Sequence, residues 1–123
     1  MAETVKHETV LDTGQQQLAT VYAKALLGAA IAAGNAEQVL EELDSLVLDV
    51  LDRLPTLEAA LAAPRVPLER KLSMLDQALG GKASATMLHF LKVVCRHRRF
   101  DCIRPMQRAT HNLFDELTGR VAV

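Results

Sequence analysis

The stretch that most constrains the fold runs from Ala85 to His97, A-T-M-L-H-F-L-K-V-V-C-R-H. Advanced at ~100° per residue, Met87, Leu88, Phe90, Leu91, Val94 and Cys95 share one broad arc. Thr86, His89, Lys92, Arg96 and His97 share the other, and Val93 falls among them, beside His89. A helix with so wide an apolar face packs against several neighbours at once, so this segment reads as the central helix of a bundle. One more helical residue would carry Arg98 into the apolar arc. The helix is therefore expected to stop near His97, leaving Arg98 and Arg99 as a basic corner.

The remaining sequence supports a bundle. The 123 residues suffice for one domain with a real core. Half are hydrophobic but only 3% aromatic, with no Trp, so Ala and Leu supply the apolar mass and favour closely packed helices. A net charge of -1 argues against nucleic acid as a bulk electrostatic partner. No apolar run approaches the ~20 residues of a membrane span, which argues against direct membrane insertion. The polar stretch Met1 to Gly14 reads as a flexible N-terminal tail rather than a signal peptide. Cys95 and Cys102 make no disulfide framework and fit a reducing compartment.

Six helices are expected in one domain over residues 15–119. The first is Gln15 to Ala33, with Leu18, Val21, Tyr22, Ala25, Leu26, Ala29 and Ala30 on its apolar arc and Gly34 as its left-handed end. Ala25, Ala29 and Ala32 make a small-residue edge that would admit a close neighbour. Asn35 can cap the second, with Gln38 as its reciprocal partner, and Leu40, Leu43, Val47, Val50 and Leu54 form its seam up to Pro55. Thr56 to Ala62 is a short third helix. The fourth opens at Pro67 and carries the stripe Leu68, Leu72, Leu75 and Leu79, ending at Gly80-Gly81. After the central fifth helix, Asp101 can cap a sixth running to about Thr118, with Ile103, Met106, Leu113, Phe114 and Leu117 inward. Residues 120–123 form a C-terminal tail. No segment alternates as a strand, and the fold class is all-α, a six-helix bundle.

Little chemistry is visible. Cys95, His97, Cys102 and His111 match no compact zinc spacing, and Cys95 lies on the buried arc, so no metal site is expected. There is no Gly-rich phosphate loop and no cofactor motif, and four histidines without an ordered nucleophile or carboxylate pair leave no catalytic residues to name. Glu41, Glu42 and Asp44 read as a solvated face. Arg96, His97, Arg98 and Arg99, with Arg104 and Arg108 nearby, form the strongest charge cluster. It suits either a phosphate or acidic partner or a solvated corner beside a helix C-terminus, where cations are favoured.

Four stretches carry a family resemblance. Val21 to Leu26, V-Y-A-K-A-L, resembles the opening helix of the rotary ATP synthase delta subunit family, whose mitochondrial counterpart is the oligomycin-sensitivity-conferring protein. Leu61 to Leu72, L-A-A-P-R-V-P-L-E-R-K-L, resembles its Leu-x-x-Pro turn with a following Lys. His89 to Phe100, H-F-L-K-V-V-C-R-H-R-R-F, resembles its fifth helix and basic corner, with His89 where the family usually has Asn. Gly119 to Val123 resembles the approach to the family's second domain.

The resemblance implies a non-enzymatic stator (peripheral stalk) subunit of the ATP synthase, without cofactor and monomeric when alone, on the cytoplasmic face of the energy-coupling membrane. It implies that the bundle holds the N-terminal helix of one catalytic-head alpha subunit in a groove between the first and fifth helices. The groove positions are Tyr22 and Ala25, with Ala29 one turn on, and His89 and Val93. The stalk b subunit would be gripped by a C-terminal domain that this sequence lacks. An apolar Val93 on a polar face and a smooth Ala25/Ala29 edge are both features that a docked amphipathic helix would cover. The rival expectation, from another class, is a helical RNA-binding antitermination-type module using Arg96 to Arg104.

Overall fold

Pro55, Pro67 and four left-handed residues, Gly34, Gly81, Arg98 and Gly119, punctuate the described chain. The computed structural model describes residues 2–119, with side chains from residue 14 onward. Helix α1 spans Ala2–Ala33 and α2 spans Ala36–Ser45, continued by a π-helical turn over Leu46–Leu51. Then come α3 (Pro55–Ala62), α4 (Leu68–Leu79), α5 (Ala85–Arg96) and α6 (Ile103–Thr118), the last entered through a 3-10 turn at Phe100–Cys102. Among the described residues there is no strand, and the six-helix all-α reading holds. The expected C-terminal tail lies outside the described residues. The backbone of α1 reaches back to Ala2, well before the expected start at Gln15.

The core is built from α1, α2, α4, α5 and α6 around Leu26, Leu43, Leu75, Leu91 and Met106, each at most 1% exposed. Helix α5 is central to it. Met87, Phe90, Leu91, Val94 and Cys95 are buried and Leu88 is partly so, the arc that periodicity marked. Helix α6 is the most extensive neighbour of α1. The two run in the same direction, because Gln16 and Thr20 share a hollow with Pro105 to Asn112, while Ile31 and Gly34 share one with Phe114 and Thr118.

The close-packed side of α1 differs from the expected one. Ala19, Ala23 and Ala30 are fully buried with Leu26 and Leu27, while Ala25, Ala29 and Ala32 are exposed. The apolar arc is wider than its neighbours can cover, and the edge read as a close-packing surface is the uncovered part.

Helix α2 departs in phase. The amide of Asp52 donates to the Val47 carbonyl five residues back, at 2.9 Å. This wider turn brings Leu46 and Leu51, five apart, into the core, leaving Val50 half-buried and Leu54 exposed. The Asn35–Gln38 capping box does not form. Asn35 makes no side-chain cap bond, its Oδ1 is buried without a partner, and Gln38 donates instead to Glu42.

Pro67 stands one position before α4 with extended backbone, φ −61° and ψ 146°, rather than inside it. The packed stripe of α4 is Lys71, Leu75 and Leu79, and Leu68 is exposed at the open first turn. In α6 the inner face is Ile103, Met106, Thr110 and Phe114. Thr110 is accommodated because its hydroxyl donates to the Met106 carbonyl at 2.7 Å. Leu117 is exposed near the helix end. Asp101 does not cap α6; it sits within the 3-10 turn, which supplies the entry instead.

Two helices end in the same way. After α1, Asn35 N–H donates to Ala30 and Gly34 N–H to Ile31. After α5, Arg99 N–H donates to Val94 and Arg98 N–H to Cys95, both at 3.0 Å. Each is a Schellman motif, which needs a left-handed residue: Gly34 at φ 76° in one, Arg98 at φ 58° in the other.

Candidate partner-helix groove

The uncovered edge of α1 faces a matching edge of α5. Leu18, Val21, Tyr22, Ala25, Leu26 and Ala29 on one side, and Thr86, His89, Phe90, Val93 and His97 on the other, line an open groove of about 440 Å³. The positions follow the three-and-four spacing that gives one face of each helix. Tyr22 meets His97, the last lining residue of α5, so the two helices run antiparallel along the groove. Its surface is almost wholly carbon; Val21 is 64% exposed, Ala25 and Ala29 are exposed, and Val93 is half-buried. All five residues assigned from sequence, Tyr22, Ala25, Ala29, His89 and Val93, line it together.

One end of the groove is closed by a contact that sequence reading missed. The Tyr22 hydroxyl lies 2.7 Å from His97 Nδ1. A signal was present: His89, Val93 and His97 are four apart and share a face. At the other end the α5 wall begins at Thr86, two residues after Ser84, the N-cap of α5, whose Oγ accepts from the Met87 N–H at 3.2 Å. Ser84 is anchored in turn by Glu42 of α2, which accepts its amide at 2.7 Å and its hydroxyl at 2.6 Å. Glu42 is therefore a bracket for α5 rather than part of a solvated face. Asp44 likewise accepts from Gln107 at 2.9 Å and contacts His111 at 2.6 Å, joining α2 to α6.

The basic cluster divides. Arg104 pairs with Glu58 through two hydrogen bonds, at 2.8 and 2.9 Å, and with Asp52 at 2.7 Å. The hydrogen bond from Arg104 holds the Glu58 carboxyl below its ordinary range, against partial burial and the nearby Asp52 charge. The bonds to Glu58 and then Asp52 push the Arg104 guanidinium further up. Arg104 is thus engaged within the fold, whereas Arg96, Arg98 and Arg99 are exposed.

The four residues that might have suggested a metal are engaged separately. His97 meets Tyr22, His111 meets Asp44, and both thiols are buried. Burial pushes the Cys95 thiol up to about 11, slightly offset by Lys71. Cys102 is 3% exposed, and burial with Asp101 beside it raises its thiol too. Phe100 and Cys102 turn inward because the 3-10 turn folds the corner back onto the core.

Among the described residues the site is thus an open, almost wholly apolar trough between two helices of an all-α bundle. The family model for the ATP synthase delta (OSCP) subunit matches residues 18–123. ATP synthase subunit delta of Rhodopirellula baltica is 33% identical over 121 residues, covering 98% of this chain and 53% of that protein. The delta subunit of Desulfosudis oleivorans is 37% identical over 101 residues, covering 81% and 55%, and that of Symbiobacterium thermophilum 36% over 102, covering 83% and 54%. The chain belongs to the ATP synthase delta (OSCP) subunit family. It spans about half the length of the curated relatives it matches. No solved structure matches it.

Proposed function

We propose that the chain acts as a non-catalytic stator subunit of an ATP synthase, and that its α1–α5 groove binds the N-terminal helix of one catalytic-head alpha subunit. The observation that carries this reading is the apolar trough itself, on which Tyr22, Ala25, Ala29, His89 and Val93 converge. A helix laid there would cover the exposed Val21 and the half-buried Val93 with its own apolar face. Holding one alpha subunit breaks the equivalence of the three and keeps the head from turning with the rotor. Such a clamp must be stiff, and a core close-packed on alanine and leucine supplies that stiffness. The family resemblance assigns the grip on the stalk b subunit to a second domain, and the chain spans about half the length of the relatives it matches. The place proposed for it is peripheral, on the cytoplasmic face of the energy-coupling membrane; no helix among the described residues is long and apolar enough to cross a membrane.

Titration calorimetry with a peptide copied from the parent alpha subunit's N-terminus tests the reading. Val93→Asp is expected to keep the fold and abolish binding, because the docked helix would bury an unpartnered carboxylate at a cost of a few kcal/mol. Ala25→Asp should act alike with little risk to the fold, since Ala25 is exposed. Lys92→Ala is the control: Lys92 pairs with Asp76 of α4 and does not line the groove. Unchanged binding in Val93→Asp would overturn the assignment.

A further inference from the structure

The groove has unlike ends. At the Ala29 and Thr86 end the lining residues are uncharged. At the His97 end the chain runs directly into Arg98 and Arg99, with Arg96 in the last turn of α5. All three are exposed, and among the described residues none has a carboxylate partner, whereas Arg104 and Lys92 are ion-paired. The C-terminal pole of α5 offsets only about half a charge, so the corner keeps a positive surplus. The C-terminal end of a docked helix carries the opposite character: a negative pole and carbonyls without intrahelical partners.

We propose that Arg96, Arg98 and Arg99 form an anion-accepting subsite at the His97 end of the groove, which takes the acidic C-terminal end of the docked helix and so fixes its direction. The inference rests on the helix-in-groove reading above and adds a polarity to it. The apolar trough alone would accept a helix in either direction. The arginines, displaced to one end, favour the arrangement that brings carboxylates to them.

Three synthetic amphipathic peptides with one apolar face test this: one with uncharged ends, one with three glutamates added at its C-terminus and one with them at its N-terminus. Fluorescence anisotropy at low salt is expected to show the C-terminally acidic peptide binding about tenfold more tightly than the uncharged one, as three exposed ion pairs would allow. The N-terminally acidic peptide should gain far less. The gap should close in the Arg96→Gln, Arg98→Gln, Arg99→Gln triple variant, and at high salt, where exposed charges are screened. If the uncharged peptide binds but neither acidic end helps, or both help equally, the subsite is overturned while the groove reading stands. If none of the peptides binds, both fall. If a short RNA binds more tightly than the acidic peptide and loses that binding in the triple variant, the corner is a nucleic-acid contact and the inference is overturned.

Discussion

The Tyr22 hydroxyl and His97 Nδ1 meet at 2.7 Å, with the two rings edge to face at 5.9 Å, across 75 residues of sequence. The contact ties the first helix to the last turn of the fifth and sets the width of the groove at its basic end. Tyr22→Phe keeps the ring and removes the bond. Thermal unfolding should register a loss of about 0.5 kcal/mol, the low end for a solvent-exposed hydrogen bond. Peptide affinity should fall by less than tenfold, in contrast to its abolition in Val93→Asp.

Glu42 and Ser84 act as a unit at the other end of α5. Ser84→Ala removes a helix cap and should cost about 1 kcal/mol. Glu42→Ala should cost about 1–2 kcal/mol, because it releases two hydrogen bonds to a carboxylate. The double variant should lose less than the sum, since each single change already disrupts the shared network. Denaturant unfolding of the three variants measures the coupling; strict additivity would mean that the bond between the Ser84 hydroxyl and Glu42 contributes no coupling energy.

Both cysteines should label slowly with an alkylating reagent in the native protein, because both are buried and both thiols are raised. Full unfolding in denaturant should make them react at similar rates. Fast native labelling of Cys102 would mean that the Phe100–Cys102 turn opens readily.

Acid should weaken the junction of α3 and α6. Glu58 titrates below its unfolded value in the folded protein, so its contribution is complete above the ordinary value of 4.5 and is lost as pH falls through the depressed folded value. Urea midpoints at neutral pH and at about pH 3 should therefore differ more for the parent than for Glu58→Gln. An equal drop in both proteins would show that other carboxylates dominate the acid response.

Helical periodicity made most of the fold legible. It placed the buried face of α5 correctly because that helix is surrounded and nearly every apolar residue on it is covered. It misjudged α1 because a wide apolar arc does not reveal which strip a neighbour will cover; Ala19 and Ala23 took the close contacts expected of Ala25 and Ala29. In α2 a single wide turn shifted the seam, and no residue at Leu46–Leu51 announces such a turn. The groove was visible as the residue that broke the pattern, Val93, together with the resemblance. Its supports were not, because Tyr22–His97, Glu42–Ser84 and Asp44–His111 each join positions at least 42 apart.

The turn after α5 has an evolutionary consequence. Gly34 and Arg98 occupy equivalent places in equivalent motifs, yet only the first is the residue that suits a left-handed backbone. Arg98→Gly should raise stability by about 1 kcal/mol, since glycine adopts this conformation without the steric penalty of a side chain. A protein selected only for robustness would drift to glycine there. Keeping a guanidinium at that corner is worthwhile if it meets something outside the chain, so Arg98→Gly should give a hardier protein that is a poorer clamp. Melting temperature and affinity for an acidic-ended peptide, read side by side, would expose that compromise.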